Sequence, residues 1–290
     1  MYSKTDLSIL QPFLDVERLA WADVIQFGDD ILEMGTVPET ADQFRRLLQD
    51  LETSPGKPLV FRHTDVSFSP ERCDAALKRL GEWNEENRVE GSLPTPFYVI
   101  SVAREANALS ELISWLGEVR RPTIMVFQGQ VALSFLGIGL ACDYRMAAAD
   151  TSFCNHGRTR DLPPGPGLLY LLPAYVGRGR ANALVTRVEE MSAHSAFKWG
   201  LLDEVSVSAE LEQTLQGLAA EVSCFSPETF GTIRQLLNRH LPAFNAYFGQ
   251  EILSLQRSVR GRPWEKLSCR DTTGSTPGTN RIGKVNPCLE

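Results

Sequence analysis

The sequence predicts an α/β fold whose strands lie mostly parallel, followed by a helical C-terminal region. Three observations carry this. Short apolar runs at Pro58–Arg62, Thr123–Phe127 and Asp143–Ala148 read as buried strands. Amphipathic helical stripes separate the first two, and strand–helix–strand succession implies right-handed crossovers and a parallel sheet. From Pro164 onward the apolar spacing becomes helical.

Taken in order, residues 1–20 show no clear periodicity, and Val24–Phe27 reads as a short strand. Thr36-Val37-Pro38-Glu39 has the form of a capping box, with Thr36 as N-cap, and Phe44, Leu47, Leu48 and Leu51 then mark one helix face. After the Pro58–Arg62 strand, Ser69-Pro70 opens a second helix bearing Ala76, Leu77, Leu80 and Trp83. The run from Asn84 to Glu90 reads as solvated surface. Thr95-Pro96 then starts a long helix, whose stripe Val99, Val102, Ala106, Leu109, Ile113 and Leu116 ends at Arg120-Arg121-Pro122. Short helices are expected at Leu168–Leu172, Ala181–Val185 and Ser195–Trp199, and longer ones at Glu210–Val222, Pro227–Arg239 and Ala243–Val259. The stretch from Gly261, rich in Gly, Ser, Thr and Pro, reads as a flexible tail.

Composition narrows the function. The 290 residues are 43% hydrophobic and 22% charged, which fits a folded globular chain, and the net charge of −7 disfavours nucleic acid as a partner. No apolar run approaches membrane-span length, and Asp6 and Asp15 argue against a signal peptide, so a cytoplasmic protein with no membrane partner is expected. The 6 cysteines form no CxxC pair and the 4 histidines are widely spaced, so no metal site is expected and the thiols read as reduced.

Residues 121–205 carry an ordered set of marks. They are Arg121-Pro122 with a closing Gly129, Ala141-Cys142-Asp143 before Met146-Ala147-Ala148, Phe153, Pro164-Gly165-Pro166-Gly167, Leu172-Pro173 with Val176-Gly177, Ser192-Ala193, and Gly200-Leu201 with Glu204-Val205. This order resembles the crotonase (enoyl-CoA hydratase/isomerase) superfamily. The resemblance implies a ββα spiral core over residues 1–203 with a long insertion helix at about 95–120, a helical oligomerisation region at 204–260, and a flexible tail at 261–290. It further implies an acyl-thioester substrate held by two backbone N–H groups that stabilise an enolate, and a homotrimer or homohexamer. No cofactor is expected, with coenzyme A entering only as part of a substrate.

The departures from the family's pattern shape the functional expectation. Gly137 and Gly157 stand at the positions of the hydratases' two catalytic glutamates, so water addition by paired carboxylates is not expected. Ser134 falls at the helix-side oxyanion donor. Pro70, which has no N–H, falls at the other, and a one-residue slip makes Glu71 the donor. His156, with Asp161 to orient it, is the candidate acid or base, and Arg158 is a candidate for a substrate carboxylate. Arg62, His63 and Arg72 lie where the family receives the coenzyme's phosphates. The expected function is an enzyme acting on an acyl thioester (acyl-CoA or carrier-bound) or a β-dicarbonyl compound through enolate stabilisation, as a lyase, decarboxylase or hydrolase. The alternative is a catalytically inactive crotonase-fold binding or regulatory protein.

Overall fold

In the computed structural model, residues 8–53, 56–86, 108–238 and 244–259 are described. The strands β1 (Leu14–Arg18), β2 (Asp23–Phe27), β3 (Leu59–His63), β4 (Thr123–Phe127), β6 (Tyr144–Ala148) and β9 (Glu204–Ser206) form one sheet in the order β1-β2-β3-β4-β6-β9. Only β1 and β2 run antiparallel; the others pair in parallel, with Val60 beside Ile124, Met125 beside Arg145 and Ala147 beside Val205. A smaller sheet joins β5 (Gln130–Ala132), β7 (Ser152–Cys154) and β8 (Glu190–Ser192).

Why these strands read as unbroken apolar runs follows from the packing on both faces. Side chains alternate across a strand. Phe27, Leu59, Phe61, Met125, Phe127 and Ala147 face the larger core. Val24, Val60, Ile124, Val126 and Met146 face the other side, which Leu215, Ala219 and Val222 of α8 (Leu211–Val222) cover.

The remaining helices are α1 (Pro38–Thr53), α2 (Pro70–Glu86), α3 (108–116), α4 (Leu136–Ala141), α5 (His156–Arg160), α6 (Leu168–Arg187), α7 (Ala193–Lys198), α9 (Pro227–Asn238) and α10 (Phe244–Val259). No described helix is long and apolar enough to cross a membrane.

A buried polar hub explains two of the sequence marks. The Arg121 guanidinium, 2% exposed, donates to Asp23 Oδ2, Leu51 O and Lys57 O, each at 2.7 Å. Asp143 accepts from Thr123 N at 2.8 Å, Thr123 Oγ1 at 2.7 Å and Arg234 Nε at 2.9 Å, and Arg234 also reaches Arg121 O at 2.8 Å. The arginine before β4 and the aspartate before β6 therefore fix where both strands begin and where α9 docks. These charges persist in the interior because each has partners for most of its hydrogen-bonding atoms.

Several local expectations change. β1 lies inside the stretch that shows no clear periodicity. It is an edge strand whose Asp15, Glu17 and Arg18 face outward, which hides it from hydrophobic patterning and blunts the edge. Thr36 is not the N-cap of α1. It closes a 3₁₀ turn (Ile31–Thr36), and the Thr40 hydroxyl bonds Met34 O and Val37 O at 2.6 Å each. Asn84–Glu86 form the last turn of α2, and the rest of the run expected to be solvated surface, 87–90, lies outside the described residues. α3 ends at residue 116, short of Arg120, where Gly117 and Val119 turn their N–H groups back onto Ile113 and Trp115. The two short helices expected at Leu168–Leu172 and Ala181–Val185 are one run, α6, broken at Gly177 with φ +75°. The start of the expected insertion helix, at 95–107, and the tail at 261–290 lie outside the described residues.

Candidate functional site

A cavity of about 200 Å³ opens where α2, α5, α10 and the turn after β5 converge. Ser69 starts one wall: its Oγ accepts the Arg72 N–H at 3.1 Å, capping α2. That sets Cys73, Ala76 and Leu77, spaced along one helix face, against the cavity. Burial pushes the Cys73 thiol up to about 12, so it is no thiolate nucleophile near neutral pH.

The second wall is the turn Leu133-Ser134-Phe135, which leads into α4. Leu133 and Phe135 are buried, and Phe135 stacks on Phe68 with centroids 4.3 Å apart. The Ala132 N–H bonds Phe68 O at 2.8 Å, tying this turn to the loop before α2. Ser134 faces the cavity. N–H groups in the first turn of a helix have no intrahelical acceptor, so this is a place where an anionic oxygen is favoured.

The third wall carries the titratable group. Asn155 is buried and donates through Nδ2 to Val185 O at 2.8 Å and Val188 O at 3.1 Å, which fixes the start of α5. His156 follows and lines the cavity, with 12% of its side chain exposed. Its Nε2 lies 2.8 Å from Asp74 Oδ1, and Arg160 bonds the other oxygen of the same carboxylate. Burial alone raises the Asp74 pKa, but the hydrogen bonds and charges of His156 and Arg160 together hold it below the usual carboxylate range. The Arg160 Nε–H also points at His156 Nε2, at 3.4 Å, so Asp74 and Arg160 together hold the ring in place.

The cavity thus brings together His156 and Ser134, two of the sequence candidates, and not the others. The carboxylate bonded to His156 Nε2 is that of Asp74, not Asp161. Asp161 is exposed and sits at the C-terminal end of α5 with φ +54°. Arg158 pairs with the exposed Glu189 at 2.9 Å and does not line the cavity. Glu71 is exposed on the first turn of α2 and does not line the cavity. The three basic residues around β3 are each paired or buried. Arg72 is buried between Asp30 and Glu33, Arg62 pairs with Glu212, and His63 is a buried neutral ring.

Backbone fills the space at both glycines. A Cβ on Gly137 would lie 2.2 Å from Pro166 O and 2.9 Å from Leu168 N, and one on Gly157 would lie 2.8 Å from Leu162 O. No side chain fits at either position without moving main chain.

Two acids at the site escaped the sequence reading. Asp74 reaches His156 across 82 residues of chain, and no local spacing signals that pairing. Glu251 of α10 lines the cavity with Phe248, Ile252 and Leu255. Its signal was present, as an acid interrupting an apolar stripe at helical spacing. Among the described residues, no three His, Cys, Asp or Glu side chains converge on a cation-sized site.

Comparison with known proteins places this architecture. The family model described as Enoyl-CoA hydratase/isomerase matches residues 101–252, just over half of the chain. The 1,2-epoxyphenylacetyl-CoA isomerase of Escherichia coli (strain K12) is 28% identical over 158 residues, 54% of this chain and 59% of that protein. The trans-2-decenoyl-[acyl-carrier-protein] isomerase of Streptococcus mutans is 25% identical over 139 residues, 48% of this chain and 53% of that protein. The match therefore spans only about half the length of such relatives. Among solved structures, the enoyl-CoA hydratase from Bacillus halodurans superposes with TM-score 0.69 at 14% identity, covering 88% of this chain and 98% of that one. An enoyl-CoA hydratase from Bacillus anthracis superposes with TM-score 0.62 at 17% identity, covering 85% of this chain and 90% of that one. With the ordered marks, the mostly parallel sheet and the family match in agreement, the chain belongs to the enoyl-CoA hydratase/isomerase family and has the crotonase fold.

Proposed function

We propose that this protein is an enzyme that acts on an acyl thioester, carried by coenzyme A or a carrier protein, or on a related β-dicarbonyl compound, by stabilising an enolate. The Ser134 N–H receives the developing oxyanion and His156, oriented by Asp74, transfers a proton. One observation carries this reading: Ser134 and an imidazole fixed by a carboxylate line the same cavity. Paired-carboxylate hydration is not its chemistry, because main chain occupies the space that side chains at Gly137 and Gly157 would need. Relatives named for acyl-CoA and acyl-carrier-protein substrates support the substrate class. The apolar face of α9, where Leu236 and Leu237 are exposed, supports assembly into a homotrimer or homohexamer.

The test is deuterium uptake at the carbon next to the carbonyl of butyryl-CoA in D₂O, read by mass spectrometry on the full chain. Uptake is expected, and His156→Ala should lower its rate ~10²–10⁴-fold. Crotonyl-CoA should not be hydrated. Turnover of crotonyl-CoA at ~1–10³ s⁻¹ would overturn the reading. Tight binding of butyryl-CoA without uptake would instead favour a binding protein.

A further inference from the structure

On the family resemblance, Gly137 and Gly157 stand where hydratases carry carboxylates, yet a carboxyl group still lines the cavity, supplied by a different element. Glu251 stands on α10 between Phe248 and Leu255. It is held in place: the Gly167 N–H donates to its two oxygens at 3.0 and 3.2 Å, and the Tyr247 hydroxyl reaches Oε1 at 3.4 Å. α10 itself is seated on α6 by rings, with Tyr170 5.1 Å from both Phe244 and Tyr247. The carboxyl is therefore a fixed part of the wall, in the same cavity as Ser134 and His156.

We propose that Glu251 is the base that removes the proton beside the thioester carbonyl, taking over from a new place in the fold the work of the missing family carboxylates. This rests on the enolate reading given above. In the step, the C–H bond breaks and its proton goes to a Glu251 carboxylate oxygen. The bonding pair forms the enolate C=C while the carbonyl π pair moves onto oxygen, where the Ser134 N–H receives it. Return of a proton from His156 or from Glu251 restores the thioester, and exchange of these groups with water closes the cycle. No other reactant is needed.

The electrostatic setting suits a base working near neutral pH. Burial raises the Glu251 pKa above the ordinary value, opposed in part by the bonds from Gly167 and Tyr247. The other titratable groups facing it are Cys73 of α2 and His156 of α5 across the cavity and Tyr247 on α10 itself. Burial keeps Cys73 and Tyr247 protonated through that range. An acid limb of the pH–rate profile would thus belong to Glu251.

Glu251→Gln tests this in the butyryl-CoA exchange assay. The amide oxygen still accepts the Gly167 N–H, so the wall is kept. The rate should fall ~10²–10⁴-fold with KM changed less than ~3-fold, and the acid limb should vanish. Glu251→Asp, which retains a carboxylate, should retain the acid limb at a reduced rate. That variant and the wild-type profile decide the matter if the glutamine variant does not fold. A glutamine variant that exchanges at the wild-type rate while His156→Ala does not, or a wild-type profile without an acid limb, overturns the role of Glu251 and leaves the enolate reading standing. A wild-type protein that exchanges nothing overturns both.

Discussion

At Gly137 the interior has room for hydrogen and nothing more. The Pro166 carbonyl and the start of α6 press against its Cα, so an added methyl meets main chain and not a movable side-chain tip. Gly137→Ala should lower unfolding free energy by about 3 kcal/mol or more, read from the shift in urea midpoint. Gly217 of α8 provides the contrast. Nothing lies within 4 Å of a Cβ there, and a helical glycine replaced by alanine should gain up to ~1 kcal/mol. Equal effects at the two positions would contradict the packing described. Sequence comparison marked Gly137 and Gly157 as missing acids, which is a statement about chemistry. That the gaps are closed by backbone could not be read from the sequence, because Pro166 and Leu162 approach only through the fold. The same limit applies to His156, legible as a lone titratable group, and to Asp74, whose partnership with it needs α2 and α5 brought together.

At the scale of elements, α10 decides whether the site exists. Phe244 is its anchor: it packs edge-on against Tyr170 at 5.1 Å and stacks on Phe248 at 5.9 Å. Phe244→Ala should weaken the docking of this helix by about 2 kcal/mol, so amides of Phe244–Val259 should exchange about 30-fold faster. Amides of β4, secured by buried neighbours on both faces, should keep their protection. Hydrogen exchange followed by mass spectrometry separates the two, and uniform acceleration across both would show that α10 does not open on its own. The helix was legible from its spacing, as were β3, β4, β6, α8 and α9, because each buries a continuous stripe or run. β1 and the small β5-β7-β8 sheet were not. Their strands are short or outward-charged, and pairing rather than pattern defines them.

For the whole molecule, pH acts through His63. Its Nδ1 lies 2.7 Å from Thr64 O, Nε2 accepts the Gln128 N–H at 3.4 Å, and the ring packs against Phe68 with centroids 5.0 Å apart. Burial lowers its pKa to about 4, against the bond to Thr64 and the charge of Asp65, which pull the other way. The unfolded chain therefore binds this proton more readily than the folded one. The stabilisation is complete above about pH 6.5, is lost progressively as pH falls to about 4, and amounts to up to roughly 3 kcal/mol. Denaturant unfolding at intervals across that window should show the decline, and His63→Phe should flatten it relative to wild type. A wild-type curve equally steep in the variant would assign the effect to other groups.

The position of α10 along the chain also sets an order of events. Both sheets are complete by Ser206, and α8 then covers the exposed face of the larger one. Four of the residues around the cavity, Phe248, Glu251, Ile252 and Leu255, arrive only afterwards. A chain emerging from the ribosome, amino end first, would assemble its scaffold while the site still lacked a wall. On the enolate reading proposed above, the protein would then fold during synthesis before it is competent, and no reactive enolate would form in a half-built cleft. The same holds for a chain clipped between α9 and α10: it would keep its architecture and fall chemically silent.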